Sequence, residues 1–198
     1  MDNLIDGRCG WCGTDELYKK YHDEEWGRLV TDDKVLFEFL VLESAQAGLS
    51  WITILKKRDG YRNAFHHFDV NKVAEMTDDD VERLMQDSRI VRNRLKIKST
   101  ISNAKLFIAI QKEFGSFYAY TLSFFPNQKP IKNNPNSLSE VPASSPESDA
   151  MSRDMKRRGF KFFGTTICYA HLQATGLVND HLTNCNYSNA CEKLVGKD

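Results

Sequence analysis

The stretch YHDEEWG, residues 21–27, crowds an imidazole, three carboxylates and two large aromatic rings into seven positions. An imidazole such as His22 is a metal ligand when thiolates or further imidazoles lie near it. Close to the other end of the chain, HLTNC sets His181 and Cys185 four residues apart, so both side chains can meet one ion on a helical turn or a tight loop. Either Cys9 or Cys12 of RCGWC, together with His22, would complete the set, and one ion would then tie the two ends of the chain together. A closed Cys2His2 shell of this kind is structural rather than catalytic. The other reading of CGWC is a redox pair, which normally belongs with a βαβ pattern that this sequence lacks. Five cysteines (Cys9, Cys12, Cys168, Cys185 and Cys191) without a secretory signal argue against a disulfide framework.

Glu43 is the second residue with chemistry to offer. On a helix through this region its neighbours one turn away are Phe39, Leu40 and Ala47, which places a carboxylate on an apolar face. A buried carboxylate needs a partner: either a core arginine, or a ligand in a cavity. Trp11, Tyr18, Tyr21, Trp26 and Trp51 cluster in the first 51 residues and include every tryptophan of the chain. Such rings usually form core. Around a buried carboxylate they would also hold a flat cationic heterocycle by stacking, cation–π attraction and a hydrogen bond. His66 and His67 have no cysteine partner nearby and read as ordinary residues of a helical YRNAFHHF.

The elements that must position these residues are helices. TDDKVLFEFLVLESAQAG opens with the cap residues Thr31 and Asp32 and ends at Gly48. SWITILKKR follows with a serine cap and a basic end. DVNKVAEM and TDDDVERLMQD read as two short helices, Thr77 and Asp80 having capping-box spacing. Residues 93–114 form a long helix stopped by Gly115, and further helices follow in SFYAYTLSFF, SDAMSRDMKRRG and TTICYAHLQATG. All five prolines lie in 126–147, which reads as loop. No alternating run with hairpin turns is present, so the fold class is all-α, one domain over 1–198.

Composition bounds the partners. With 27 basic and 27 acidic residues the net charge is zero, so an anionic partner must be met by local charge. Residues 82–105 carry Arg83, Arg89, Arg92, Arg94, Lys96, Lys98 and Lys105 against Glu82 and Asp87, and 153–161 carry five basic residues against Asp154. Each is either a basic stripe for nucleic acid or a solvated helix face. No apolar run is long enough for a membrane helix, and a cytoplasmic protein, monomeric by default, is expected.

RCGW, YHDEEWG, LESAQAGLSWITILKKR, RNRLKI, GFKFFGTTICYAHLQATGLVNDH and the final H-x3-C, in this order, resemble the 3-methyladenine DNA glycosylase I family over residues 8 to about 187. The resemblance implies a helix-hairpin-helix fold, alkylated duplex DNA as partner and free 3-methyladenine as product of N-glycosidic hydrolysis. It implies one structural zinc ion on Cys9, His22, His181 and Cys185, setting aside Cys12 and Cys191. It implies Glu43 as the catalytic and base-recognising carboxylate, with Trp51, Tyr18 and Tyr21 packing on the base and Trp11 and Trp26 around them. Leu49, after Gly48, matches an apolar wedge that fills the gap left in the duplex. A hairpin near 87–95, in DSRIVRNRLKI, would offer backbone N–H groups and basic side chains to phosphate through Arg89, Val91, Arg92 and Arg94. Hairpins of this type commonly carry a glycine where this chain has Ser88 and Arg89. None of the residues that the resemblance assigns to the pocket is a lysine, which implies a monofunctional enzyme. In YHDEEWG, His22 would bind the metal, Tyr21 would line the pocket and the acids would solvate the outer face. The alternatives are a zinc-stabilised, non-catalytic DNA-binding module and a thiol redox protein using Cys9 and Cys12.

Overall fold

A computed structural model describes residues 3–189. The elements run β1 (Leu4–Ile5), β2 (Arg8–Cys9), α1 (Glu16–Glu24), α2 (Asp33–Gln46), α3 (Trp51–Leu55), α4 (Arg58–Ala64), α5 (Val70–Ala74), α6 (Asp78–Leu84), α7 (Arg94–Phe114), α8 (Phe117–Leu122), β3 (Ile131–Lys132), α9 (Pro146–Arg158), α10 (Thr165–Ala174) and β4 (Val178–Asn179). Helices dominate, as the periodicity predicts. No helix among the described residues is long and apolar enough to cross a membrane.

The axis of the molecule is α2. Asp32 caps it by accepting hydrogen bonds from the Lys34 and Val35 amides, and every residue from Leu36 to Ala45 is buried. A helix buried on all sides needs neighbours all round. They are α3, α7, α8 and α10, with α9 on the far side of α10 and α5 and α6 against α7. Asp33 links two of them: its carboxylate accepts from the amides of Phe117 and Tyr118 at the start of α8 and from Gln111 of α7. The buried apolar side chains form one cluster reaching from Cys9 to Cys185.

Several expectations need correction. Two-residue strands are present, β1 antiparallel to β2 and β3 parallel to β4, so the loop read over 126–147 contains a strand at Ile131–Lys132 and ends at the N-cap Ser145, with Pro146 already in α9. Such short pairings leave no periodic trace in the sequence. The YHDEEWG segment is half helix: α1, N-capped by Asp15, is not predicted from the sequence, because Leu17, Tyr18 and Tyr21 are its only apolar markers among mostly charged residues. His66 and His67 are not helical. Together with Phe68 they have φ between 51° and 58°, a left-handed turn that ends α4 and buries Phe68. The capping box of Thr77 and Asp80 is present.

Candidate active site

A cavity of about 410 Å3 opens between α1, α2, α3 and α10. Its walls include all five expected aromatic residues. The rings of Trp11 and Trp26 lie 4.8 Å apart, those of Trp11 and Tyr18 5.2 Å, and those of Tyr21 and Trp51 5.4 Å. Glu43, 3% exposed, faces the same space from α2. Its Oε2 has no hydrogen-bond partner, and neither has the buried indole Nε1 of Trp51. Burial alone raises the Glu43 pKa to about 8, which favours the protonated carboxyl at neutral pH. Burial first, then Cys12 and Glu43, pushes Tyr18 up to about 12, and Tyr21 is raised well above the ordinary phenol value for the same leading reason.

The core arginine that would have satisfied Glu43 is engaged elsewhere. Arg58, at the start of α4, donates from Nε to Glu38 (2.6 Å) and from Nη1 to Glu25 (2.7 Å), and lies over the Phe39 ring. Glu25 and Asp23 therefore do more than solvate a surface. Glu25 ties the segment before Trp26 to α2 and α4. Asp23 accepts a bidentate pair of bonds from Arg8 and faces His22 Nδ1 at 2.8 Å. Gln46, Leu138, Val141, Ala170, Gln173 and Asp180 also line the cavity and were not anticipated. Gln46 had a readable signal, three residues beyond Glu43 on one helix face. The others come from the loop before α9, from α10 and, in Asp180, from just after β4, none of which sequence spacing brings near Glu43.

Behind the aromatic wall, Cys9, His22, His181 and Cys185 converge with ligand atoms within 4.8 Å of one another, all four buried. Cys185 Sγ lies 3.6 Å from His22 Nε2 and 3.5 Å from His181 Nδ1, and Cys9 Sγ 3.7 Å from His181 Nδ1. Bonds of ~2.3 Å to sulfur and ~2.0 Å to nitrogen at tetrahedral angles put sulfur and nitrogen about 3.5 Å apart, so the donor set fits a zinc-type ion. The remaining ring nitrogens are held as metal sites require, His22 Nδ1 by Asp23 and His181 Nε2 by the Trp26 carbonyl (3.1 Å). The hydrogen bond between the two thiols, ahead of burial, draws Cys185 down toward the thiolate and pushes Cys9 up. Cys12 is buried outside this cluster, its Sγ directed to the Gly13 carbonyl. Cys191 lies outside the described residues.

The expected DNA-facing residues occupy two exposed turns. Gly48, at φ +80°, turns the chain after α2, and Leu49 beyond it is 40% exposed. The second turn joins α6 to α7. Ile90 anchors it in the core, the Val91 amide donates to the Tyr61 hydroxyl, and Lys57 donates to the Ser88 carbonyl (2.7 Å). Its residues avoid positive φ, so Arg89 sits there without the strain a glycine would be needed to relieve. Gly60 of α4 supplies the close approach instead: a Cβ there would meet the Arg89 carbonyl oxygen at 2.3 Å. Arg89 pairs with Asp87 and Arg94 with Glu82, while Arg92 is exposed.

The methyladenine glycosylase family model matches residues 11–189. DNA-3-methyladenine glycosylase 1 of Escherichia coli (strain K12) is 52% identical over 178 residues, covering 90% of this chain and 95% of that protein. DNA-3-methyladenine glycosylase of Haemophilus influenzae (strain ATCC 51907 / DSM 11121 / KW20 / Rd) is 47% identical over 90% and 96%. Among solved structures, 3-methyladenine DNA glycosylase I from Staphylococcus aureus, described for its recognition of 3-methyladenine, superposes with a TM-score of 0.88 at 37% identity, covering 92% of this chain and 96% of that one. The helical fold, the aromatic cavity around Glu43 and these similarities along nearly the whole chain place this protein in the methyladenine glycosylase family.

Proposed function

We propose that this protein is a DNA-repair glycosylase that extrudes 3-methyladenine from alkylated duplex DNA and hydrolyses its N-glycosidic bond, without lyase activity. The observation that carries this reading is Glu43, a buried carboxyl with an unpartnered oxygen in an aromatic cavity of purine-accommodating size. Alkylation at N3 makes the purine cationic and weakens its bond to the sugar. The enzyme then needs little acid catalysis and gains rate by holding the extruded base. Stacking on Trp51, Tyr18 and Tyr21, with Trp11 and Trp26 behind them, favours a cation over neutral adenine. The approaching positive charge lowers the Glu43 pKa and ionises it, so recognition and electrostatic stabilisation of the departing base come from the same group.

In this reading Leu49, carried on Gly48, fills the space the base vacates, and the α6–α7 turn is a helix-hairpin-helix element that grips phosphate through Arg89, Val91, Arg92 and Arg94. One zinc ion on Cys9, His22, His181 and Cys185 joins the two chain ends, supported by the donor set and its spacing. The chain acts as one domain and a monomer, in the cytoplasm. The test is chromatography of bases released from methylated duplex DNA. The wild type should release 3-methyladenine and not 7-methylguanine, and Glu43→Gln should lower the rate by roughly two orders of magnitude. No release by folded protein would leave a DNA-binding module as the better account.

A further inference from the structure

Lys96 differs from most of the cations around the α6–α7 turn. Arg83, Arg89, Arg94 and Lys98 each meet a carboxylate. Lys96 instead sends its ammonium into the protein, donating to the Ala45 carbonyl at 2.8 Å and the Ala47 carbonyl at 2.7 Å. These belong to the C-terminal end of α2, where carbonyls lack helical partners and a cation is favoured. Lys96 is half-buried, and that burial lowers its pKa. Holding an ammonium there costs desolvation, and two short bonds offset it.

The placement joins two functional turns. Lys96 is in the first turn of α7, three residues after the N-cap Asn93, so its backbone moves with the hairpin. Its carbonyl partners flank Gln46, which lines the cavity and whose own carbonyl accepts the Leu49 amide at 2.6 Å. A Cβ at Gly48 would meet nothing within 4 Å, so no packed neighbour braces the turn at that position. Lys96 is a direct polar tie between the hairpin helix and this turn.

We propose that Lys96 is a positioning residue whose ammonium locks the Gly48–Leu49 turn to the hairpin, so that gripping the phosphate backbone sets where Leu49 enters the duplex. This rests on the glycosylase reading given above. The test is a double-mutant cycle of Lys96→Met, which keeps the stem and removes the donors, with Leu49→Ala, read as single-turnover release of 3-methyladenine from duplex DNA. Binding of free 3-methyladenine, followed by tryptophan fluorescence, reports the cavity, and the salt dependence of binding to undamaged duplex reports the hairpin. Lys96→Met should slow release about tenfold with both controls within twofold of wild type, and less than twofold in the Leu49→Ala background. Equal slowing in both backgrounds, or unchanged release, overturns the proposal. If Lys96→Met does not fold, Lys96→Gln, which keeps one donor, goes through the same cycle with the same two outcomes. A wild type that binds DNA but releases no base overturns the glycosylase reading instead, and this inference with it.

Discussion

Glu43 is where a single residue's physics is most exposed. Its folded pKa of about 8 lies above the ordinary value of 4.5, so the native state holds a proton that the unfolded chain has lost between those limits. Stability therefore falls as pH rises from about 4.5 to about 8 and then levels off. Glu43→Gln, which cannot ionise, should be no more stable than wild type near pH 4.5 and more stable by a few kcal/mol near pH 8. Thermal melts of both proteins across that range check it; parallel curves would mean that Glu43 is already ionised in the free protein. Glu43 also shows how far residue types can be read. Its helical neighbours place it on the apolar side of α2, but a core arginine as its partner was an equally sound alternative. That alternative fails because Arg58 is held by Glu38 and Glu25, a pairing between residues 20 and 33 positions apart that no local pattern displays.

At the scale of elements, α4 and the α6–α7 turn are the informative pair. The turn is held by Lys57, Tyr61 and the bare α-carbon of Gly60, from one short helix and its N-cap. Gly60→Ala would press a methyl group onto the Arg89 carbonyl and push the turn outward, costing about 1–3 kcal/mol of stability. Its affinity for undamaged duplex DNA should drop severalfold while free 3-methyladenine still binds; a titration of each ligand with the variant separates the two. Unaltered duplex affinity would remove the hairpin from the DNA contact. The caps of α2 and α6 were readable because Asp32, and Thr77 with Asp80, act on amides two or three residues away. The helix α1 was not, because its order is imposed by what its buried residues Tyr21 and His22 meet: Trp51 across the cavity and Cys185 at the far end of the chain.

For the whole molecule, the Cys/His cluster closes the chain on itself, bringing residues 9 and 185 into one buried site directly behind the Trp26 segment. Ligand binding that exists only in the folded state adds its free energy to folding. Protein purified without chelator should carry one zinc per chain by elemental analysis. Stripping the metal should lower the melting temperature by several degrees or more and loosen the cavity wall that Trp11 and Trp26 form. Metal-free protein with unchanged melting and unchanged binding of free 3-methyladenine would separate the cluster from the site.

The amino-acid sequence by itself determined the helical class, most caps and stops, and the inward placement of Glu43, because these depend on neighbours within one or two turns. Through ordered motifs it also carried the family resemblance. Spacing left Cys9 and Cys12 of RCGWC open and the resemblance pointed to Cys9; the fold brings Cys9 into the cluster and leaves Cys12 outside it. Tertiary structure alone decided two things. It turned Asp23 and Glu25 from surface acids into the partners of His22 and Arg58. And it completed the cavity with Gln173 and Asp180, more than 120 residues from Glu43. The reason is the same in each case: burial leaves a polar group dependent on whatever packing places within about 3 Å, and packing joins residues without regard to their distance along the chain.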